Sequence, residues 1–196
     1  MSPVSLLRRR AFLGSLISIV CVLPASLTAG QFWPFGRDKN TSYQTFKDPA
    51  GRFELEYPTK DWRLLSSVGS SLAVFSHKDG RPALVIDRVS LAGRLTPEEI
   101  DALPGNEVER LRDQQPKIKD FKSDVVETKA GRGVLIRYAR VDLEPESVVQ
   151  YTIAVGQDLY RLNGVVTDKL LSKYEPVIMH MIQSFKAPAG PSASKN

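Results

Sequence analysis

The sequence contains a single cysteine, Cys21, which lies in an apolar stretch near the amino terminus. That stretch is interpreted below as a removable signal. The chain that follows it has no thiol, which excludes disulfide bonds, thiolate metal sites and cysteine catalysis there. An exported protein without disulfides is typical of a bacterial envelope or a plastid lumen rather than of a small secreted eukaryotic scaffold.

Catalytic and nucleotide-binding motifs are also missing. No Gly-x-Ser-x-Gly nucleophile elbow occurs in the 196 residues, so hydrolysis by that serine motif has no support. Gly131-Arg132-Gly133 is too short for a dinucleotide fingerprint and predicts a turn between strands. Carboxylate acid–base catalysis has no positive support. The prediction is therefore a non-enzymatic protein with no catalytic residue, no cofactor-binding residue and no cofactor.

Metal-ligating residues are few and poorly spaced. Zinc would need His77 and His180 brought together with carboxylates, and His180 has no histidine or acid three or four residues away on the last predicted helix. His77 borders a Lys-Asp-Gly turn and is predicted to be solvated. Asp142, Glu144 and Glu146 could attract calcium, but they lack the glycine and spacing of an EF-hand loop and indicate a solvated loop. No metal site is predicted.

The net charge is small once the predicted signal at the amino terminus is set aside. The chain has 27 basic and 22 acidic residues, a formal charge of +5. Arg8, Arg9 and Arg10 lie in the predicted signal, so 24 basic and 22 acidic residues remain, a net charge of +2. Nucleic acid prefers a concentrated basic face. A nucleic-acid partner is therefore not expected.

Residues 1–29 are predicted to be a signal peptide of the twin-arginine type. Three arginines precede an uncharged, mostly apolar run from Ala11 to Leu27, and Leu27-Thr28-Ala29 offers a small-residue cleavage site. Arg9-Arg10-Ala11-Phe12-Leu13 resembles the twin-arginine motif, whose pathway carries folded proteins. The predicted location is extracytoplasmic, in a periplasm or thylakoid lumen.

Two other interpretations of this segment stay open. It could be an ordinary Sec signal with an extra arginine, or an uncleaved anchor, since its run of about 17 apolar residues is at the lower limit for crossing a bilayer. Pro24 interrupts that run. A lipid anchor on Cys21 is disfavoured because Ser18-Ile19-Val20 places bulky residues where a lipobox has small ones.

Residues 30–42 are interpreted as a linker, and residues 187–196 as a disordered tail rich in proline, alanine, glycine and serine. The linker contains Phe32-Trp33-Pro34-Phe35-Gly36, whose aromatic side chains could rest on a membrane surface, on a neighbour or on the chain's own domain. One domain, residues 43–186, is predicted between them. It is long enough for one well-buried core.

The domain alternates between strand and helix periodicity. The pattern predicts strands at residues 53–57, 62–65, 72–77, 83–91, 120–129, 134–143, 148–155 and 159–166. Thr96-Pro97-Glu98-Glu99 is a capping box that opens a helix toward Gln115, with an interruption at Leu103-Pro104-Gly105. Its polar face is expected to include Glu107. Many strands with few helices indicate an antiparallel sheet covered by helices.

The last element is predicted to be an amphipathic helix, with Pro176 in its first turn. Its apolar residues recur at spacings of three and four: Leu170, Leu171, Tyr174, Val177, Ile178, Met181, Ile182 and Phe185.

Two segments carry a family resemblance. The first is 43–46 followed by 51–58, an aromatic-rich strand that ends in Tyr57-Pro58, and then Trp62. The second is 155–162, followed by the last helix, which ends in Ser184-Phe185. Together they resemble PsbP-type domains, and the similarity covers the order of elements from about residue 43 to 186.

The resemblance implies an α+β fold, an α-β-α sandwich around a central antiparallel sheet. It also implies an extrinsic accessory protein whose partner is a membrane protein complex or an envelope protein, with a photosystem II role in a photosynthetic source. Peripheral association with a membrane and a monomeric state are expected. The resemblance supplies no site residue. The alternative is a ligand carrier or hydrolase with a pocket between sheet and helix.

Overall fold

The computed structural model describes residues 41–66, 69–114, 117–141 and 145–188. The predicted signal peptide lies outside these residues, as do nearly all of the linker and the tail. The nine strands are β1 (Tyr43–Lys47), β2 (Glu54–Pro58), β3 (Trp62–Ser66), β4 (Ala73–His77), β5 (Ala83–Ser90), β6 (Ile118–Thr128), β7 (Gly131–Arg140), β8 (Glu146–Val155) and β9 (Asp158–Thr167). The helices are α1 (Pro97–Gln114) and α2 (Leu171–Ser184), and a 3₁₀ turn at Asp168–Leu170 precedes α2.

Seven strands form one antiparallel sheet in the order β3-β4-β5-β9-β8-β7-β6, and β1 pairs with β2 in a separate hairpin. The predicted α-β-α sandwich is confirmed. Because successive side chains in a strand point to opposite faces, β7, β8 and β9 each contribute to two cores, one on either side of the sheet. The hairpin and α2 cover one face, and α1 packs on the other. Among the described residues, no helix is long and apolar enough to span a membrane.

The helix α2 lies directly on β9. A Cβ atom added to Gly164 would overlap the Cγ2 atom of Ile178 well inside van der Waals contact. A second close approach places the ring of Tyr151 over Gly133, with its ring atoms 2.6 Å from where a Cβ would lie. Both glycines are therefore required by packing rather than by backbone conformation.

The helix α1 begins as predicted. The Thr96 amide donates to Glu99 Oε2 at 2.7 Å, and the Glu99 amide donates to Thr96 Oγ1 at 3.3 Å, which completes the capping box. The predicted interruption is wrong, because the helix continues through Pro104 to Gln114. On either side of this proline, Leu103, Glu107 and Leu111 are buried, which anchors both parts of the helix to the sheet.

Three other predicted details are corrected. The turn between β6 and β7 lies at Lys129-Ala130, so Gly131-Arg132-Gly133 begins a strand. Pro176 is the sixth residue of α2 rather than part of its first turn. Leu170, assigned to the apolar stripe, is 38% exposed and lies in the 3₁₀ turn.

An ion pair closes the loop between β1 and β2. Arg52 donates to both carboxylate oxygens of the buried Asp48, at 2.7 and 2.8 Å, and the Arg52 amide adds a third hydrogen bond at 3.1 Å. The side-chain hydrogen bonds from Arg52 are the main reason that the pKa of Asp48 lies below its usual value.

We expect Asp48→Asn to cost about 1.5–3 kcal/mol of unfolding free energy at pH 7, as is typical of hydrogen bonds to charged groups. A lowered folded-state pKa stabilises the fold above the unfolded pKa of about 4, and this contribution disappears as the pH falls through the folded value. The difference between wild type and variant should therefore shrink below about pH 4. Urea unfolding at pH 7, 5 and 3 measures it, and a constant difference would contradict the assignment.

Candidate functional site

The face of the sheet that carries α1 is only partly covered. Seven strands spaced about 4.8 Å apart span about 29 Å, whereas a helix is about 10–12 Å wide. The helix α1 packs on β6 and β7 and reaches β8 through its buried side chains. Within the described residues, no helix lies over β3, β4 and β5 on this face. We call this area the open half of the sheet.

The floor of the open half can be followed from the pairing register. One row across the strands runs through Leu65, Val74, Val85 and Asn163, and the next through Arg63, Ser76, Ala83 and Val165. The apolar members of both rows are half-buried. The floor is thus mainly aliphatic, with arginine at its outer edge.

A buried carboxylate marks the boundary between α1 and the open half. Glu107 of α1 is 3% exposed. Arg161 of β9 donates two hydrogen bonds to it, at 2.8 and 3.0 Å, and Arg110 donates two more, at 2.9 and 3.2 Å. Gln150 of β8 adds one at 2.9 Å, and Thr152 a longer one at 3.4 Å. We call these five residues the Glu107 cluster.

The protonation of Glu107 follows from these contacts. Burial by itself would raise the pKa of this carboxyl, but the hydrogen bonds from Arg161 and Arg110 outweigh burial and hold the pKa below its usual value. Glu107 is therefore ionised at neutral pH, and two arginines share its single negative charge. The cluster carries one surplus positive charge, and both arginines keep some exposure to solvent.

A second cluster repeats the arrangement at the end of the sheet. Glu146 of β8 is 4% exposed and contacts Arg140 of β7 and Arg81 of the turn before β5. Two arginines again share one carboxylate. Tyr138 lies on the same face, and burial raises the pKa of its phenol despite the opposing charges of Arg140 and Arg110.

The charges on this face sum to an excess of arginine. The charged side chains on the face from β3–β5, β8 and β9, with their direct ion-pair partners, are Arg63, Arg81, Arg110, Arg140, Arg161, Asp87, Glu107 and Glu146. Five are positive and three are negative, a net charge of +2. The surface is suited to a partner that offers carboxylates and apolar side chains together.

The histidines occupy different environments from each other. His77, predicted to be solvated, is 6% exposed and lies between Trp62 and Tyr174, with its Nδ1 3.2 Å from Asp79 Oδ2. His180 pairs with Glu56 across the interface of α2 and β2, at 2.8 Å. The prediction for His77 was wrong because pairing of β3 with β4 and the approach of α2 enclose its ring.

Of the three acids considered for calcium, Asp142 and Glu144 lie outside the described residues. Glu146 is buried between arginines, so its prediction as a solvated loop residue was wrong. In the described part of the chain, no group of three or more histidine, aspartate or glutamate side chains could hold a metal ion.

An open depression of about 540 Å³ lies at the end of the sheet. It is lined by Asp79, Gly80, Arg81, Thr167 and Leu170. Only Asp79 among these is a carboxylate, so the depression offers no carboxylate pair for acid–base catalysis. It also differs in position from the pocket between sheet and helix that the alternative interpretation required.

Sequence reasoning missed both clusters. Glu107 was assigned to the polar face of α1, and it is buried. One signal was available: Arg161 and Asn163 interrupt the apolar pattern of β9 on the face opposite Tyr160 and Leu162. Polar side chains in a central strand usually have a buried partner.

No protein-family model matches the chain, and no curated protein matches it significantly in sequence. Solved structures do match. The cyanobacterial PsbP (CyanoP) of Synechocystis is 12% identical, with a TM-score of 0.54 over 78% of this chain and 96% of that one. LpqN, which is involved in cell envelope biogenesis of Mycobacterium tuberculosis, is 14% identical, with a TM-score of 0.52 over 78% and 94%. A protein of Bacteroides thetaiotaomicron is 11% identical, with a TM-score of 0.51 over 76% of this chain and 50% of that one.

The domain is therefore an antiparallel α-β-α sandwich, and its described residues leave the face that carries α1 incompletely covered. Within that class it has the PsbP-like fold, as the resemblance over residues 43–186 led us to expect.

Proposed function

We propose that the protein is an exported, non-enzymatic accessory protein that binds a membrane protein complex or an envelope protein. The observation that carries the proposal is the open half of the sheet, where half-buried aliphatic side chains lie beside surplus arginines. A continuous aliphatic surface with a charged rim is typical of a protein-binding site. In a photosynthetic source, the same surface would serve a photosystem II-like role.

Two structural neighbours support this choice of partner. One is a cyanobacterial PsbP, and the other is a protein of cell envelope biogenesis. At 12% and 14% identity they share the fold with this chain, and the involvement of LpqN in cell envelope biogenesis motivates the search for an envelope or membrane partner. Export is proposed from the sequence of residues 1–29.

The test is site-specific photocrosslinking in the source cells. A photoreactive phenylalanine analogue replaces Val85, at the centre of the open half, in the full-length chain. We expect one discrete adduct that contains a membrane or envelope protein, and a reciprocal crosslink from that protein back to β4 or β5. Mass spectrometry of the same sample should find a mature amino terminus near Gly30.

The matched control places the same analogue at Val125 of β6. Val125 lies on the same face of the sheet in the edge strand β6, next to α1 and outside the open half, and it is 47% exposed. No equivalent adduct is expected from this position. Equal crosslinking from both positions, or none from Val85, would overturn the proposed docking surface. Recovery of the protein only in the cytoplasm would overturn export.

A further inference from the structure

The open half of the sheet is wide and long enough to bind one helix beside α1. The helix α1 projects about 10–12 Å from the sheet, because that is the thickness of a helix with its side chains. The uncovered strip beside it is about 15 Å wide, since it spans the three strands β3–β5 and the approach to β9. Its longest strand, β5, has eight residues and is about 27 Å long, which matches a helix of about 15–18 residues.

The floor of the open half suits the apolar stripe of an amphipathic helix. Val74, Val85 and Leu65 are neighbours in adjacent strands and remain half-buried. A helix that packs on them would remove the remaining aliphatic surface from water, at about 25 cal/mol for each Å². The same layer of side chains is covered by α1 over the other half of the sheet.

The charged side chains along the open half indicate which charges the two flanks of that helix should carry. Arg63 lies at the outer margin, in the edge strand β3, and is exposed. Arg161 and Arg110 lie along the α1 side, where two arginines share the charge of Glu107. Arginines therefore border both long sides, and a helix with carboxylates on both flanks would face opposite charge.

Asp87 is the one carboxylate on the floor itself. It accepts hydrogen bonds from Ser71 at 2.7 Å and from Asn163 at 3.2 Å, and it lies across from Arg161 in the pairing register. The Asp87 carboxylate thus already accepts hydrogen bonds from two neutral donors and has an arginine as its neighbour in the adjacent strand. The net charge of the face remains positive.

A flat anionic surface fits this shape less well than a helix does. A bilayer would meet the projecting α1 before it reached Val85, so the recessed floor would stay uncovered. The linker segment of this chain that contains Phe32-Trp33-Pro34-Phe35 carries no excess of acidic residues and lacks the charge complement. Shape and charge together favour an acidic helix from another protein.

Resting on the proposed accessory function, we propose that the open half of the sheet binds an acidic amphipathic helix of the partner protein. The apolar stripe of the helix covers Leu65, Val74 and Val85. Its carboxylates lie opposite Arg63 on one side and opposite the arginines of the Glu107 cluster on the other.

The probe is a set of three synthetic 16-residue helical peptides with one leucine stripe and flanks of glutamate, glutamine or lysine. Each is titrated into the full-length, isotope-labelled chain. We expect the glutamate peptide to shift the amide resonances of β4 and β5, and the glutamine peptide to bind about tenfold more weakly because it lacks the charge complement. The lysine peptide should not bind. Higher salt should weaken the binding of the glutamate peptide, because salt screens the attraction between exposed charges.

Two matched charge reversals locate the site. Arg63→Glu should weaken the glutamate peptide about tenfold, whereas Lys129→Glu should leave its affinity unchanged. Lys129 is exposed in the turn after β6, at the edge of the sheet opposite β3, and its reversal changes the net charge equally. Both positions are exposed, so circular dichroism should show unchanged folds.

The proposal is overturned if the three peptides bind alike or if the shifted resonances lie outside the open half. It is also overturned if phosphatidylglycerol vesicles shift the same resonances. A shift of these resonances on dilution alone would indicate that two copies of the chain pair through the open half, and would overturn it too. So would a shift of the same resonances when residues 30–40 are deleted, since that segment would then be the occupant. A crosslinked partner at Val85 with no peptide discrimination would leave the accessory function standing and remove only the acidic helix. Loss of both the crosslinked partner and the peptide discrimination would overturn the proposed accessory function itself.

Discussion

Replacing Glu107 by alanine is expected to lower the free energy of unfolding by about 3 kcal/mol. The change removes the shared acceptor of Arg161 and Arg110 and leaves two partly buried cations without their carboxylate. Gln150 and Thr152 lose the same partner. The partial exposure of both arginines places the loss at the lower end of the range for a broken buried ion pair. Urea unfolding at pH 7 measures it.

Glu109→Ala on the same helix is the matched control, because Glu109 is exposed and should change stability by less than about 0.5 kcal/mol. A second comparison separates the unpaired charge from the loss of packing. Adding Arg161→Met to Glu107→Ala should cost less than the sum of the two single changes, because it removes one cation that Glu107→Ala strands. Similar losses for Glu107→Ala and Glu109→Ala would contradict the assignment of a buried cluster.

Replacing Gly164 by alanine is expected to cost about 2–3 kcal/mol, the upper part of the range for overpacking a core. The added methyl group would overlap Ile178, and α2 would have to move away from β9 to admit it. The buried residues Val177, Ile178, Met181 and Ile182 would move with the helix. Thermal or urea unfolding measures the loss.

Gly105→Ala is the opposite control. Gly105 lies within α1, and nothing lies within 4 Å of an added Cβ. Alanine is a better helix former there, so the variant should be more stable by about 0.5–1 kcal/mol. Adding Ile178→Ala to Gly164→Ala should give a loss smaller than the sum of the single changes, since it removes the overlapping atom. Strict additivity would show that the two residues do not meet.

The two predictions also concern the binding surface. The Glu107 cluster holds α1 against β8 and β9, and this sets the wall of the open half. Contact of Gly164 with Ile178 holds α2 on the other face, which keeps the sheet in place beneath that wall. Changes at either site should therefore weaken binding at Val85 indirectly.

Several elements were predictable because their causes lie within a few residues. The capping box at Thr96 and Glu99 needs only two hydrogen bonds across one helical turn. The period of two predicted strands at 148–155 and 159–166, which correspond to β8 and β9 and pair with each other. Spacings of three and four predicted α2, apart from its first residues.

Other elements depended on partners that the local sequence does not reveal. The strand β1 was not predicted, and it forms by pairing with β2 from Tyr43↔Pro58 to Lys47↔Glu54. Pro104 predicted a break in α1, since an interior proline costs about 3 kcal/mol. Burial of Leu103 and Leu111 against the sheet offsets that cost, so the helix stays continuous.

The sequence by itself determined eight of the nine described strands and the presence of both helices, but not β1 or the continuity of α1 through Pro104. It also determined the scarcity of catalytic motifs and the likeness to PsbP-type domains. Hydrogen bonding and side-chain periodicity act over a few residues, and both can be followed along the chain. The tertiary structure alone decided that Glu107 is buried, that two arginines share it and that no described helix covers β3–β5 on one face. Glu107 and Arg161 are 54 residues apart, and only the packing of α1 on the sheet brings their charges together.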